Sequence, residues 1–310
     1  MIENFKLQVF RVVAESLNFS RAAEELHLSQ PAVTSQIRSL EEGLGIALFD
    51  RVGRNATLTP AGQTLLPFVR QIEILTGDAL AALAPFGVQE GIELSLGASH
   101  TIGIYLLPRL LPAILREWPK LRIHVVIGST GEVLNSLATH QVSMGLIEAP
   151  AHRPDLKIER FMDDELCLIL PPNHRWAKKT QVRAAELVQE PILLRETGSG
   201  MRRFVEEYLE KNGVLNQQLH TNIDINSTEA IISAVEEGLG IGFVPVMALE
   251  KVKLAGSVRI MPLENGPIKR ELSFAMLAGP VREGPQRDLI EILRAIDPAQ
   301  KGKVEKSKAQ

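Results

Sequence analysis

The chain has 310 residues, a formal net charge of −3, 45% hydrophobic and 23% charged residues, and one cysteine. That size accommodates two or three domains, the composition is ordinary for a soluble protein, and no apolar run approaches the roughly 20 residues a membrane helix needs. Cys167 excludes an intramolecular disulfide and a multi-cysteine metal site, and its place in the run LCLIL points to packing in a strand.

The N-terminus, MIENFKLQVF, carries an early acid and no basic segment leading into an apolar core, so it is not read as a signal peptide and a cytoplasmic protein is expected. Ile2, Phe5, Val9, Val12 and Val13 recur at near-helical spacing. Ser20 is placed as the cap of a short helix carrying Ala22, Ala23 and Leu26. After a break at His27-Leu28, Ser29 caps a second helix with Pro31 in its first turn. There Val33, Ile37 and Leu40 form one face, leaving Gln30, Pro31, Thr34, Ser35 and Arg38 on the other. Two such helices, the second with a polar outer face, read as a helix-turn-helix whose second helix enters the DNA major groove. The segment GLGIALFDRVGRNATLT follows as a turn and two short strands, a wing presenting Arg51, Arg54 and Asn55 beside that helix. The balance of residues 1–60 is only −1, so the expected phosphate contacts come from a local patch rather than bulk charge.

Pro60 opens a helix in which Leu65, Phe68, Ile72, Leu75, Ala79 and Ala82 are spaced as a heptad, a seam suited to pairing two chains. Pro85-Phe86-Gly87 breaks it, and a hinge follows. From Ile92 onward strands alternate with helices, which predicts parallel sheet covered on both faces. The strands are expected at Ile92–Leu96, Ile123–Ile127, Met144–Ile147, Leu166–Leu170, Ile192–Leu194, Thr221–Ile225, Ile241–Val244, Val258–Met261 and Glu271–Leu277, and the helices at Gly103–Trp118, Gly131–Ala138, Gly200–Asn212, Thr228–Glu237 and Gln286–Ile296. The motif GLGIGF at Gly238–Phe243 lacks both a dinucleotide fingerprint and a P-loop lysine, and reads as a turn into a buried strand. The seven histidines have no metal-ligand spacing, and the acidic group Glu148, Asp163, Asp164 and Glu165 is read as solvated loop.

These motifs together resemble the LysR-type transcriptional regulators along the whole chain, and in particular the regulators of sulfur assimilation and carbon fixation. The resemblance implies an α/β protein with an α-rich N-terminal winged helix-turn-helix (1–59), a linker and dimerisation helix (60–87), and a two-lobed, periplasmic-binding-protein-like effector domain (88–298). Lobe I takes about 91–162 and 270–298, lobe II about 163–269, and a disordered tail 299–310. Ligands of open α/β sheets sit beyond strand carboxyl ends, against helix N-termini. Four such places carry small hydroxyl residues: Ser99 and Thr101; Ser129 and Thr130; Thr197 and Ser199; and Ser227 with Thr228. Each hydroxyl is also a natural helix cap. Together they describe a cleft for a small anion, without metal or other cofactor; the resemblance implies that Ser99, Thr101, Ser129 and Thr197 line it, while His100, Arg195 and Arg202 fit there or on the surface equally well. Ser20, Arg21, Arg51, Arg54 and Thr57 are assigned to phosphates, and Gln30, Pro31, Thr34, Ser35 and Arg38 to the groove. Expected partners are promoter DNA, the effector, a second copy of the chain (as dimer, then dimer of dimers) and RNA polymerase. An enzyme and an exported solute-binding protein are the rival classes; the first lacks a catalytic motif, and the second leaves residues 1–60 without a purpose.

Overall fold

The computed structural model describes residues 5–52, 55–87, 91–148, 153–221, 223–249, 257–279, 281 and 283–296. Three helices open the chain, α1 (Phe5–Ser16), α2 (Phe19–Glu25) and α3 (Gln30–Leu44), followed by a two-stranded antiparallel ribbon of β1 (Phe49–Val52) and β2 (Asn55–Leu58). Their common core is Val9, Phe10, Val13, Ala22, Val33, Ile37, Leu48 and Phe49, all buried. The cap of α2 is Asn18 and not Ser20. The Asn18 side chain accepts from the backbone N–H groups of Ser20 and Arg21, at 2.9 and 3.0 Å. Asn holds an extended backbone at this position as well as Ser does, so the register moves by two residues. Ser29 caps α3 through Ala32 N–H, and Pro31 lies in the first turn. At the other end of α3, Glu41 accepts from the backbone N–H groups of Leu48 and Phe49, tying that helix to the ribbon.

Helix α4 (Pro60–Ala82) is 23 residues long, about 34 Å at helical rise. Its cap, Thr59, accepts from Gly62 N–H and donates to Ala47 C=O. Phe68, Ile72, Leu75, Ala79 and Ala82 are exposed along one side, while Val69, Arg70 and Ala81 are buried on the other.

The remainder is built on one sheet of nine strands: β3 (Glu93–Ser99), β4 (Arg122–Gly128), β5 (Met144–Glu148), β6 (Leu156–Leu170), β7 (Ile192–Arg195), β8 (Asp224–Ile225), β9 (Ile241–Pro245), β10 (Arg259–Met261) and β11 (Ile268–Leu277). The order is β4-β3-β5-β11-β6-β9-β7-β8, with β10 on β6. The sheet is mixed, which corrects the expectation of an all-parallel one. Pairs within each lobe (β3 with β4 and β5; β7 with β8 and β9) are parallel, but β11 runs antiparallel to β5 and β6, and β6 antiparallel to β9 and β10. The cause is the long strand β6. It is 15 residues, three times the run expected, and it pairs with β11 from Leu156 to Leu166, so that both strands pass from one lobe to the other.

Helices α5 (Leu107–Glu117), α6 (Thr130–Ala138) and α10 (Pro285–Ile296) cover the first lobe. The second is covered by α7 (Ala184–Leu187), α8 (Gly200–Lys211) and α9 (Thr228–Glu236). Each lobe has its own core. Leu96, Ile102, Ile114, Phe161, Phe274 and Leu289 belong to one, and Leu168, Leu193, Val205, Ile231, Phe243 and Val244 to the other. The GLGIGF segment is a turn with Gly238 at φ +78°, entering the fully buried strand β9. Cys167 lies mid-strand in β6, opposite Val244, and is half-buried against the second core.

Candidate functional site

On the N-terminal domain, Gln30, Pro31, Ser35 and Arg38 are exposed along α3 and Thr34 is half-buried among them. Val33 and Ile37, on the opposite side, are fully buried, so packing fixes which face of α3 looks outward. Ser20 and Arg21 are exposed in the first turn of α2, and Thr57 is exposed on the ribbon. The backbone of Arg51 pairs with Ala56; its side chain, and the whole of Arg54, lie outside the described residues.

Where β6 and β11 pass between the lobes, Arg270 is buried with no solvent exposure of its side chain. Its Nε and Nη2 donate to Asp164 Oδ2 at 2.7 and 2.6 Å, Nη1 to Glu148 Oε2 at 2.5 Å, and Nη2 to Thr101 Oγ1 at 3.0 Å. Asp164 is its register partner on β6, and Glu148 ends β5. Burial works to raise the Glu148 carboxyl, yet Arg270, then Thr101 and Ser99, hold it below the usual glutamate range. At Asp164 burial prevails over Arg270 and the carboxyl is pushed up. The reading of Glu148 and Asp164 as solvated loop acids is therefore corrected: both are buried, because an inward arginine needs them as counter-charges. Asp163, beside them, is exposed. The signal was available in β11, where Lys269 and Glu271 are exposed and Ile268, Arg270 and Leu272 buried: alternation puts an arginine at an inward position.

The hydroxyl-bearing segments meet around this cluster. Ser99 is the last residue of β3, and the chain turns helical at His100 and Thr101 at once, through a π-helical turn at Ile102–Leu106. That corrects the expected loop before Gly103. Ser129 caps α6 in a reciprocal pair with Glu132, and Thr130 donates to the Glu148 main-chain oxygen at 3.3 Å. From the other lobe, the N-terminus of α8 arrives against them. A Cβ placed on Gly200 would lie 3.7 Å from Thr130 Oγ1 and 3.9 Å from Glu148 Oε2. Ser199, at the cap position of α8, is buried without capping it, and Thr197 is exposed. Ser227 caps α9 through Ala230 N–H and donates to Glu229 Oε2. Tyr105, in the π-helical turn, donates to Glu229 Oε1 across the lobes at 2.8 Å.

The caps and the other hydroxyls thus separate. Ser129 and Ser227 serve their helices, whereas Ser99 Oγ and Thr228 Oγ1 are the buried side-chain oxygens left without a hydrogen-bond partner among the described residues. Ser99 faces the Glu148 carboxylate closely enough to help keep it ionised, short of a well-formed bond. Arg195 is buried and paired through two nitrogens with Glu196, and Arg202 bonds Glu206, Asp224 and the Arg195 carbonyl, so neither is a free surface charge. Sequence reasoning missed Tyr105, Glu229 and Arg270. Among the described residues no group of three or more His, Cys, Asp and Glu stands close enough to hold a metal, and no helix is long and apolar enough to cross a membrane. Two cavities, of about 250 and 420 Å3, lie elsewhere, between α4 and the first lobe.

A winged helix-turn-helix joined by a long helix to a two-lobed α/β domain with a polar seam defines a DNA-binding protein carrying a ligand-binding fold. Residues 5–63 match the bacterial regulatory helix-turn-helix model of the lysR family, and residues 89–297 match the LysR substrate binding domain. A probable RuBisCO transcriptional regulator of Porphyra purpurea is 35% identical over 272 residues, covering 87% of this chain and 86% of the relative. The HTH-type transcriptional regulator CysL of Bacillus subtilis is 34% identical over 268 residues, 86% of this chain and 89% of the relative. A full-length OxyR variant from Pseudomonas aeruginosa superposes with a TM-score of 0.71 at 27% identity, over 94% of this chain and 92% of that one. The chain belongs to the LysR family of transcriptional regulators.

Proposed function

We propose that this regulator reads promoter DNA with the outer face of α3 and is controlled by a small anionic effector bound between its two lobes. Gln30, Thr34, Ser35 and Arg38, with Pro31, face the groove in this reading. Ser20, Arg21, Arg51, Arg54 and Thr57 hold phosphates, whose contact positions a reader without specifying sequence. Pairing of two chains along the exposed side of α4, and of dimers into a tetramer, presents two readers to neighbouring half-sites. Such a protein works in the cytoplasm, beside RNA polymerase, and without a catalytic step. The division at 1–59, 60–87 and 88–298, with lobe I at about 91–162 and 270–298, is part of the same reading.

The observation that carries the effector site is the convergence of N-terminal segments from both lobes on one seam, with two buried hydroxyls there unsatisfied. Such groups accept an anion through N–H groups, hydroxyls and helix dipoles. Ser99, His100, Thr101, Ser129, Thr130, Thr197, Ser199 and Ser227 are the assigned lining, with Ser99 and Thr228 best placed to gain a partner. Thr101 takes part through Arg270, to which its hydroxyl is already committed. Both arginines at the seam are already paired with carboxylates, which favours a small, singly charged ligand over a strongly charged one. A thermal-shift screen of the full chain against sulfate, phosphate and small carboxylates tests this. The expected hit stabilises the wild type and not Thr130→Trp, with promoter binding of that variant retained. Equal stabilisation of both would remove the seam as the site.

A further inference from the structure

Arg70 lies midway along α4 and is only 9% exposed, an unusual place for a charged side chain unless it is paired. Its Nε and Nη2 reach Glu15 Oε1 on α1, at 3.1 and 3.0 Å, and its Nη1 reaches the main-chain oxygen of Thr139, the C-terminal cap of α6, at 3.5 Å. Arg11 bonds Glu15 and Glu73, closing a network of two arginines and two glutamates between α1 and α4. Three turns further on, at its C-terminal end, α4 packs closely on the first lobe: a Cβ on Gly284 would lie 2.9 Å from Ala81 Cβ. One guanidinium therefore touches the DNA-binding domain, the linker and the effector domain of the same chain.

We infer that Arg70 is a positioning residue for DNA recognition, fixing the winged helix-turn-helix at a set orientation to the effector domain by sharing its guanidinium between Glu15 and the Thr139 carbonyl. The planar guanidinium carries its donors on three separate nitrogens in fixed directions, so Nε and Nη2 serve Glu15 while Nη1 reaches Thr139; a lysine places all its donors on one nitrogen and cannot span both acceptors in that geometry. A cation at a helix C-terminus is also favourably placed against the α6 dipole. Helix α6 is nine residues, about 13 Å of rigid rod. Its N-terminus, at Ser129 and Thr130, lies at the seam between the lobes; its C-terminus ends on Arg70. It is held on the sheet by close contact, since a Cβ on Gly145 would lie 2.9 Å from Val133 Cγ1. A displacement of α6 at the seam is thus delivered to the DNA-binding domain through Arg70. This last step rests on the proposed effector site; the orienting role does not.

The test uses the full chain with Arg70→Lys and Arg70→Gln. Affinity for a duplex bearing one half-site is measured beside the footprint and bend angle on a two-site promoter fragment. Both variants are expected to bind the single half-site within about twofold of wild type, to lose about tenfold on the two-site fragment, and to change its bend, because misoriented readers cannot engage both sites at once. Lysine retains a charge for Glu15 but not the second arm, so recovery of the wild-type footprint and bend by Arg70→Lys would overturn the inference and leave Arg70 as a counter-charge only. Loss of half-site binding by Arg70→Lys would also overturn it, by placing the residue in the fold of the reader itself. If Arg70→Gln does not fold, the lysine variant decides alone.

Discussion

The Tyr105 hydroxyl and the Glu229 carboxylate join the two lobes by a 2.8 Å hydrogen bond, from a π-helical turn on one side to the first turn of α9 on the other. Burial works to raise the Glu229 carboxyl, but Tyr105, its own backbone and Ser227 hold it below the usual range; burial and Glu229 together push the Tyr105 phenol up. The donor and acceptor are thus in fixed roles at neutral pH. Short π segments occur often at functional positions, and here one sets where the tyrosine emerges. Tyr105→Phe removes the donor and little else. It is expected to cost about 1 kcal/mol of folding stability. In thermal unfolding Tyr105→Phe, Glu229→Gln and the double variant should be non-additive; additive effects would show that the two do not act as a pair.

At Arg270 the stakes are larger. Arg270→Met leaves Glu148 and Asp164 buried without their counter-charge, and loss of one member of such a cluster costs about 3–5 kcal/mol. Unfolding of Arg270→Met in denaturant measures it, and a loss within about 1 kcal/mol would mean the carboxylates find other partners.

The same cluster gives a pH dependence with a definite sign. Glu148 titrates below its ordinary value of 4.5 in the folded chain, so the stability it contributes is present above that pH and is lost as pH falls through the lower, folded value. Asp164, pushed up from 3.8, acts in the opposite sense and is relieved on acidification. Glu148→Gln should therefore be less stable than wild type by about 2 kcal/mol at neutral pH, with the gap closing below pH 4.5. A gap independent of pH would assign the effect to packing.

Along α4, Phe68, Ile72 and Leu75 are 59, 44 and 41% exposed at heptad spacing. Ile72→Asp places a charge in that seam and is expected to shift the chain to monomer in sedimentation velocity, with its helical content unchanged. An unshifted oligomer would put the pairing surface elsewhere.

Much of this was legible in the residues. The Ser29 cap, the inner face of α3 and the strand–helix alternation follow from local chemistry, and the observed elements fall close to where periodicity puts them. Ser20 was misplaced because Asn18 two residues earlier caps equally well, and no local preference separates them. The first half of β6 was missed because KIERFMDDE interrupts the apolar pattern with charges. Its partners, Arg160 to Glu271, Arg294 to Glu159 and Arg270 to Asp164, come from β11 and α10, over a hundred residues away. The sense of the sheet depended on that strand. Tyr105 and Glu229 were hidden for the same reason: their bond spans 124 residues. What the sequence shows poorly is pairing between lobes, which only the long crossing strands bring about.

Recognition of DNA by the outer face of α3 is tested by a salt titration of binding to the DNA flanking the regulator's own gene. Footprinting should show two protected sites, lost steeply with salt, and Arg38→Ala should lose protection within them. If Arg38 contacts a phosphate, the slope of log affinity against log salt falls by about 0.9 per subunit; if it reads a base, the slope holds and sequence discrimination drops by about 1–3 kcal/mol. Wild-type protection and slope in Arg38→Ala, with discrimination intact, would contradict the assignment of this face to DNA.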